Sequence, residues 1–428
     1  IEKKDENKKD KELKNNFISN LGCWINDEAH YMGCDKERGS VWEKNYILIS
    51  KLTQNVQLIA LSATIDDKIK FSNWIGSITK KKNYIVSTNK RIIPLKHYFF
   101  MDNKIHLFLD ENKKFNEENY KSFIKYKVNK SPKYLLNEVV NFLKEKDLLQ
   151  FIFFCYSRKR CEEYAKYLEM TLVDGEEISQ IDFIVNKKLS SRKEVLNVIK
   201  QKTNRGLSIL ELMYKGICFH HSGLLPVVKE IIEILFKNSL IKVLFATETF
   251  AVGINMPTRT VIFTGLQKPS KDGFRYLEPH EYKQQAGRSG RLGIDSVGKA
   301  IIIKLNKYIP NETTMKQIVS GKNQNFESKL VLNYDTFIKV GINENCKLRH
   351  FLENSFYQID TKKYVIKNEG RLIEEKEVLN KLISKKPYNN SEEELIEKYD
   401  LLINNKNISL NQRSKKIKKL NVNKKNKF

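Results

Sequence analysis

No apolar run in the 428-residue sequence approaches the ~20 residues that a membrane-spanning helix needs, and no signal-peptide pattern is present. A membrane is therefore not an expected partner. Cysteine is sparse and unpatterned. Cys23, Cys34, Cys155, Cys161, Cys218 and Cys346 include no Cys-x-x-Cys pair, so neither a zinc ribbon nor a dithiol redox motif is suggested. Several of them sit inside apolar runs and read as small core residues, which fits a reduced, intracellular setting, nuclear or cytoplasmic. Solenoid-type repeats are also missing. Acid is the scarcer charge: Asp and Glu number 51 against 77 Lys and Arg, a net charge of +26. That excess favours a polyanionic partner, nucleic acid first, although the joint richness in Lys and Asn also fits a nucleotide bias of the genome. The first residue is Ile1 rather than Met, which fits processing or a piece of something longer.

What is present is enough hydrophobic residue, 40%, for two or three folded domains. Residues 1–20 are a charged lead-in. Leu21, Cys23, Trp24 and Ile25 read as a short buried strand, and Val56–Leu61 as a second. Helical spacing covers Val41–Leu52 and Asp66–Ile75, and strands are expected at Asn83–Val86, Leu95–Phe100 and Ile105–Leu109. This alternation indicates an α/β layer architecture for residues 21–130, of which Glu111–Lys130 is polar enough for a linker. Ser131-Pro132 opens a helix into a second, fuller α/β domain, residues 131–310. Its strands are expected at Phe151–Cys155, Ile217–His220, Val243–Ala246, Thr260–Thr264 and Ala300–Leu305, their continuous apolar runs suiting a parallel sheet covered on both faces. Helices are expected at Arg158–Met170 and Pro226–Phe236, with a helical insertion at Val173–Leu212. Residues 311–365, with helical spacing at Phe326–Val340 and Lys347–Tyr357, fit a small helical or winged-helix region. In residues 366–428, two amphipathic helices are expected: one carries Leu372, Leu379 and Leu382, the other Leu395, Tyr399 and Leu402 after a Ser391–Glu394 capping box. The last sixteen residues hold eight Lys or Arg and no acid, fitting disorder or nucleic-acid contact.

Five stretches carry chemistry. Asp27-Glu28 at a strand end is the layout of a Walker B element, in which one carboxylate holds Mg²⁺ and the next positions or activates the attacking water; alone, it is a common chance pair. Ser62-Ala63-Thr64 offers hydroxyls after the next strand. Tyr156-Ser157-Arg158 closes Phe151–Cys155 with a hydroxyl and a guanidinium. Ala246-Thr247-Glu248-Thr249 leads into Gly253-Ile254-Asn255-Met256-Pro257, and Gln284-Gln285-Ala286-Gly287-Arg288-Ser289-Gly290-Arg291 closes a helix. Arg288 and Arg291, three apart, would share a helix face and could reach across a cleft to a γ-phosphate; a generic basic contact or a solvated face is the plain alternative.

In this order, over about 270 residues, the stretches resemble the later motifs of superfamily-two helicases, built from two RecA-like lobes. Asp27-Glu28-Ala29-His30-Tyr31-Met32 with Lys36-Glu37-Arg38-Gly39-Ser40-Val41-Trp42-Glu43 is similar to the exosome-associated DExH RNA helicases, the superkiller and messenger-RNA-transport group. Pro94-Leu95-Lys96-His97-Tyr98, His220-His221-Ser222-Gly223-Leu224-Leu225-Pro226 and Leu352-Glu353-Asn354-Ser355-Phe356-Tyr357-Gln358 resemble the same group. The resemblance implies ATP and Mg²⁺ as cofactors, single-stranded RNA as partner and an RNA-exosome-type complex as a further one. It implies that Asp27 and Glu28 form the metal and base site, and that His30 and Gln284 link it to the opposite lobe. By the same resemblance, Ser62 and Thr64 couple hydrolysis to strand movement. Gly253, Asn255 and Gly287 approach the nucleotide, while Ser157, Arg158, His221, Gly223, Thr247 and Glu248 lie along the RNA path.

One departure is large. The Gly-x-x-x-x-Gly-Lys-Ser/Thr phosphate cradle expected upstream of Leu21 is missing from the sequence. Gly293-Ile-Asp-Ser-Val-Gly298-Lys299-Ala300 is a near match that lacks the hydroxyl and runs into a strand, so it reads as a turn. The intact downstream motifs favour a fragment of a longer helicase, inactive alone; an ATPase-dead RNA-binding scaffold and a DNA helicase are the competing readings. A smaller departure is Leu292, where the family usually has arginine. The tail after Gln358 sits where the family inserts a stalk.

Overall fold

A computed structural model describes residues 20–34, 38–52, 56–63, 65, 67–88, 91–202, 206–251, 256–270, 273–305, 308–321, 326–331, 333–334, 338, 348–383, 390–404 and 412–418. It divides into two compact units, Ile1–Trp42 with Ser50–Lys329, and Glu43–Ile49 with Leu330–Phe428.

The first unit contains two parallel arrangements of strands. β1 (Cys23–Asn26) and β2 (Gln57–Ala60) pair in parallel, with Cys23 opposite Gln57 and Asn26 opposite Ala60. The expectation of a buried strand is only half met. Side chains alternate across a strand, and on one face of this pair Cys23 and Ile25 are exposed, Ile25 at 59%. The helix Lys68–Thr79 follows, its first turn capped by Asp67, whose Oδ1 accepts from Lys70 N at 2.9 Å, and its buried face built from Phe71, Trp74, Ile75 and Ile78. Asn83–Val86, expected as a strand, has no ladder partner among the described residues and leaves Tyr84 and Val86 in solvent.

The main body is a seven-stranded sheet in the order β4-β3-β11-β8-β5-β7-β6. Its members are β3 (Leu95–Met101), β4 (Lys104–Leu109), β5 (Phe151–Phe154), β6 (Ile217–His220), β7 (Val243–Ala246), β8 (Thr260–Phe263) and β11 (Gly298–Ile302). All pairs are parallel except β3 with β4. β3 and β4, grouped by sequence with residues 21–130, are hydrogen-bonded into this sheet instead: Leu95 lies opposite Gly298 and Phe99 opposite Ile302. Sequence order misled because neighbours along the chain need not share a sheet: β3 pairs with β11 and not with β1 or β2. The expected linker 111–130 contains the helix Glu117–Lys125, capped by Asn116 and buried through Tyr120 and Phe123.

Period-two alternation splits the core cleanly. Ile152, Phe154, Leu244, Ala246, Val261 and Phe263 face the helices Pro226–Lys237 and Pro279–Ala286, while Phe151, Phe153, Val243, Phe245 and Ile262 face Pro132–Glu145 and Arg158–Tyr167. Covering both faces is what makes these strands read as unbroken apolar runs. Gly175–Leu189, Lys193–Lys200 and Ile209–Met213 form the expected helical insertion. β9 (Gln267–Ser270) and β10 (Gly273–Tyr276) make an antiparallel hairpin that the sequence reading did not anticipate.

In the second unit the buried carboxylate of Glu43 accepts from Phe356 N at 2.7 Å, at the start of the helix Phe356–Ile383. A second helix, Asn390–Asn404, follows. Leu372, Leu379, Leu395, Tyr399 and Leu402 are half-buried on these helices, and burial together with Glu375 raises the Tyr399 pKa. The side chains of Leu382 and Ser391 and most of 332–347 lie outside the described residues, so the capping box and the winged-helix expectation rest on sequence. Residues 412–418 of the basic tail are helical.

Candidate nucleotide and nucleic-acid site

The ladder of β1 and β2 continues past both strand ends. Leu61 N donates to Asn26 O at 2.8 Å and Ala29 N to Leu61 O at 2.9 Å, which lays Ser62 beside the Asp27–His30 turn. Asp27 Oδ1 accepts from Glu28 N at 2.8 Å, and Glu28 takes a left-handed φ of 53°. Buried His30 brings Nδ1 within 3.2 Å of Glu28 Oε2 and 3.3 Å of Ser62 Oγ. The Glu28 pKa is raised by burial first and by Asp27 second; Arg288 opposes both. The His30 ring lies 6.3 Å from the His280 ring, at the start of the helix Pro279–Ala286. Acid turn and strand-end serine therefore meet, and His280 brings the start of Gln284's helix to His30.

The arginines do not share a helix. The helix ends at Ala286, and Gly287 closes it by donating to Lys283 O at 2.7 Å. The chain then turns extended: Thr258 N donates to Arg288 O at 2.8 Å and Gly290 N to Thr258 O at 2.7 Å. The two side chains consequently diverge in environment. Arg288 has its pKa lowered by burial and raised by Glu28 and Tyr31, so it sits in the field of the acid turn. Arg291 is clasped by Asp295, with Nε to Oδ2 at 3.0 Å, Nη2 to Oδ1 at 3.2 Å and its backbone N to Oδ2 at 2.8 Å. Asp295 also takes Arg259 Nε at 3.1 Å. A bidentate pair on a 3%-exposed carboxylate ties Arg291 into the loop, so the shared helix face expected for the two arginines is not formed and their partners differ. Gln284 Nε2 is buried and has no hydrogen-bond partner among the described residues. A buried amide donor in that state suits a polar ligand. The near match at Gly293 is a turn, with φ at 76°, leading into β11.

The residues assigned to the RNA path form a second group at the strand ends of β5, β6 and β7. Ser157 caps the helix Arg158–Tyr167. Arg158 and burial affect His221, burial lowering its pKa most, while Glu162 holds its Nε2 at 3.1 Å and Gly223 N donates to its Nδ1 at 3.1 Å. Thr247 N donates to His220 O at 3.1 Å. His220, by contrast, is committed to Glu233 at 2.8 Å. Glu248 is tied to Lys268 of the hairpin at 2.5 Å. Thr64, Gly253 and Asn255 lie outside the described residues.

Sequence reasoning missed the groups that hold this site. Lys268 bridges Glu248 and Glu281, the latter at 2.6 Å, and Arg275 grips Glu281 at 2.7 and 2.8 Å. Burial alone would raise the Glu281 pKa, but these cations hold it at about 2. Buried His97 accepts or donates at 2.7 Å to Tyr282 Oη, and desolvation with Arg91 nearby pushes its pKa down to about 3. Two cations, Lys268 and Arg275, shortly before Glu278 and Glu281 in sequence were the signal that could have revealed the network.

Residues 189–293 match the helicase conserved C-terminal domain. The chain is 32% identical over 406 residues to antiviral helicase SKI2 of Saccharomyces cerevisiae, covering 79% of this chain and 31% of that protein. It is 37% identical over 355 residues to exosome RNA helicase MTR4 of Mus musculus, 78% of this chain and 33% of the relative. Against DExH-box ATP-dependent RNA helicase DExH9 of Arabidopsis thaliana it is 34% identical over 361 residues, 78% and 36% respectively. The chain thus spans about a third of the length of the curated relatives it matches. Sheet order, acid turn, arginine loop and these similarities agree: the chain belongs to the superkiller and exosome-associated family of DExH helicases.

Proposed function

We propose that the complete protein carrying this chain is an ATP-dependent RNA helicase acting in RNA processing or decay, and that this chain supplies the acid half of its nucleotide site and part of its RNA path. The observation that most supports the reading is the contact of His30 Nδ1 with Glu28 at 3.2 Å and Ser62 at 3.3 Å, with the His280 ring 6.3 Å away; the opposing charges of Glu28 and Arg288 act in the same sense. Magnesium keeps several waters and needs only one or two carboxylates, so Asp27 beside Glu28 suits it, although no cluster of three ligating side chains occurs among the described residues. Bound Mg²⁺–ATP would supply the phosphoryl group and the metal's charge. Asp27 is the metal carboxylate. Glu28, its proton affinity raised by burial, takes the proton of the attacking water. His30 orients Glu28, and Arg288 and Gln284 would meet the phosphate when the nucleotide is bound.

Arg158, His221 and Gly223 at the β5 and β6 ends, with the +26 charge of the chain, support a single-strand path read mainly through the backbone. The name of one relative, exosome RNA helicase MTR4, supports an exosome-type partner, and a nuclear or cytoplasmic site of action is proposed with it. No helix among the described residues is long and apolar enough to cross a membrane. The test is ATP turnover by the complete protein with and without RNA. RNA should stimulate it, and Glu28→Gln should lower kcat about 100-fold or more by removing the base. Unchanged turnover in that variant, or stimulation by single-stranded DNA alone, refutes the assignment.

A further inference from the structure

The arginine loop is held from outside by the segment that leads into β3. Arg91 Nη2 donates to Gly287 O at 2.9 Å and to Ser289 O at 2.5 Å, the carbonyls immediately before and after Arg288. The carbonyl of Arg288 itself is taken from elsewhere, by Thr258 N at 2.8 Å. Three successive carbonyls are therefore fixed by two different donors, which restrains the peptide planes on both sides of the Arg288 Cα.

Two further contacts from the same segment close around the loop. Ile93 packs on Gly290, whose φ is 92° and where an added Cβ would come within 2.8 Å of Ile93 Cγ2. Pro94 O accepts from Gly298 N at 2.8 Å, pinning the point where the loop enters β11. Burial lowers the Arg91 pKa, as expected for a guanidinium drawn against backbone. Arg91 touches neither the acid turn nor any group in the RNA-path cluster in these contacts. Its bonds go to the backbone that carries Arg288.

We propose that Arg91 is a positioning residue for Arg288: by bridging the Gly287 and Ser289 carbonyls it sets the direction in which the arginine loop presents Arg288 to the nucleotide. The inference rests on the assignment of Arg288 to the phosphate side of the acid turn. It also gives segment 91–94, which runs from the DExH region into the main sheet, a mechanical consequence: a shift of that segment is transmitted directly to Arg288.

The experiment is RNA-stimulated ATP turnover by the complete protein, with RNA affinity and thermal midpoint measured on the same samples. Arg91→Ala should lower kcat about 10–100-fold, the scale of a small misplacement of a catalytic group, with KM for ATP and RNA affinity within about twofold of wild type. Millimolar guanidinium ion should restore part of the lost kcat. Arg91→Lys, which keeps charge and stem but loses the planar fork, should fall between the two and serves if the alanine variant does not fold. Wild-type kcat in either variant overturns the proposal. So does a parallel loss of kcat, RNA affinity and thermal midpoint that guanidinium leaves untouched, since that is the pattern of a merely structural group. Arg288→Ala separates the two levels. If it too is silent, the reading of Arg288 has failed; if it abolishes turnover while Arg91→Ala is silent, only the positioning role has failed.

Discussion

Replacing Glu281 by Gln tests the charge network that joins hairpin, helix and the Glu248 turn. Glu281 is 13% exposed and receives Lys268 at 2.6 Å, Arg275 at 2.7 and 2.8 Å and Glu278 N at 2.9 Å. Its pKa is depressed from 4.5 to about 2, against the opposing effect of burial. For a depressed acid the stabilisation is full above the unfolded value and is lost as pH falls from about 4.5 toward 2. The depression corresponds to on the order of 3 kcal/mol, shared among the partners. Gln keeps the volume and one acceptor oxygen but removes the charge, leaving Lys268 with Glu248 alone and Arg275 with only Glu278, 3.9 Å away. The assay is hydrogen–deuterium exchange of peptides spanning residues 260–290, corrected for intrinsic rates, for wild type and Glu281→Gln between pH 7 and 3. The local opening free energy should be lower in the variant at pH 7, and the gap should narrow below pH 4.5. A gap of constant size across that range refutes the argument, because it would mean that the lost stability came from shape and not from charge.

His97 gives the matching experiment on a base. Its pKa falls from 6.5 to about 3, so the neutral form is the folded one; stability from this group is full above 6.5 and drains away as pH falls toward 3. His97→Gln, which can still meet Tyr282 Oη, should flatten the decline of the thermal midpoint between pH 6.5 and 4; an unchanged slope counts against it. Gly290→Ala should destabilise the arginine loop by about 1–3 kcal/mol, because φ is 92° and the new Cβ meets Ile93, and chemical denaturation of the chain checks it. A neutral Gly290→Ala would mean that the loop relaxes freely.

Several features were legible because they depend on nearest neighbours in sequence. Ser131-Pro132 announced a helix start by capping and fixed φ, and that helix begins at Pro132 with Ser131 as its cap. Ile217–His220 and Val243–Ala246 matched residue for residue, since a strand covered on both faces is apolar throughout. The Asp27–His30 turn and its meeting with Ser62 were legible as motif, and the geometry brought Ser62 Oγ within 3.3 Å of His30. The errors lay where neighbours are distant. Nothing local in Leu95–Met101 says that its partner is Gly298–Ile302, some two hundred residues on. Nothing in Arg91 says that its acceptors are Gly287 and Ser289.

The arginine motif divides the two sources of information most sharply. Sequence alone determined the residue types: guanidinium groups that stay charged, glycines that permit a turn, and a spacing that belongs to this helicase family. It also determined the two-faced apolar strands and hence an α/β body. Only the tertiary structure decided which charge each arginine meets. The helix stops at Ala286, so the helical face that would have paired Arg288 with Arg291 does not exist. Asp295, reached by a turn, captures Arg291, while Arg288 lies in the field of Glu28. The physical reason is that a charge's role is set by the nearest opposite charge in space, and sequence spacing fixes that neighbour only while the backbone stays regular.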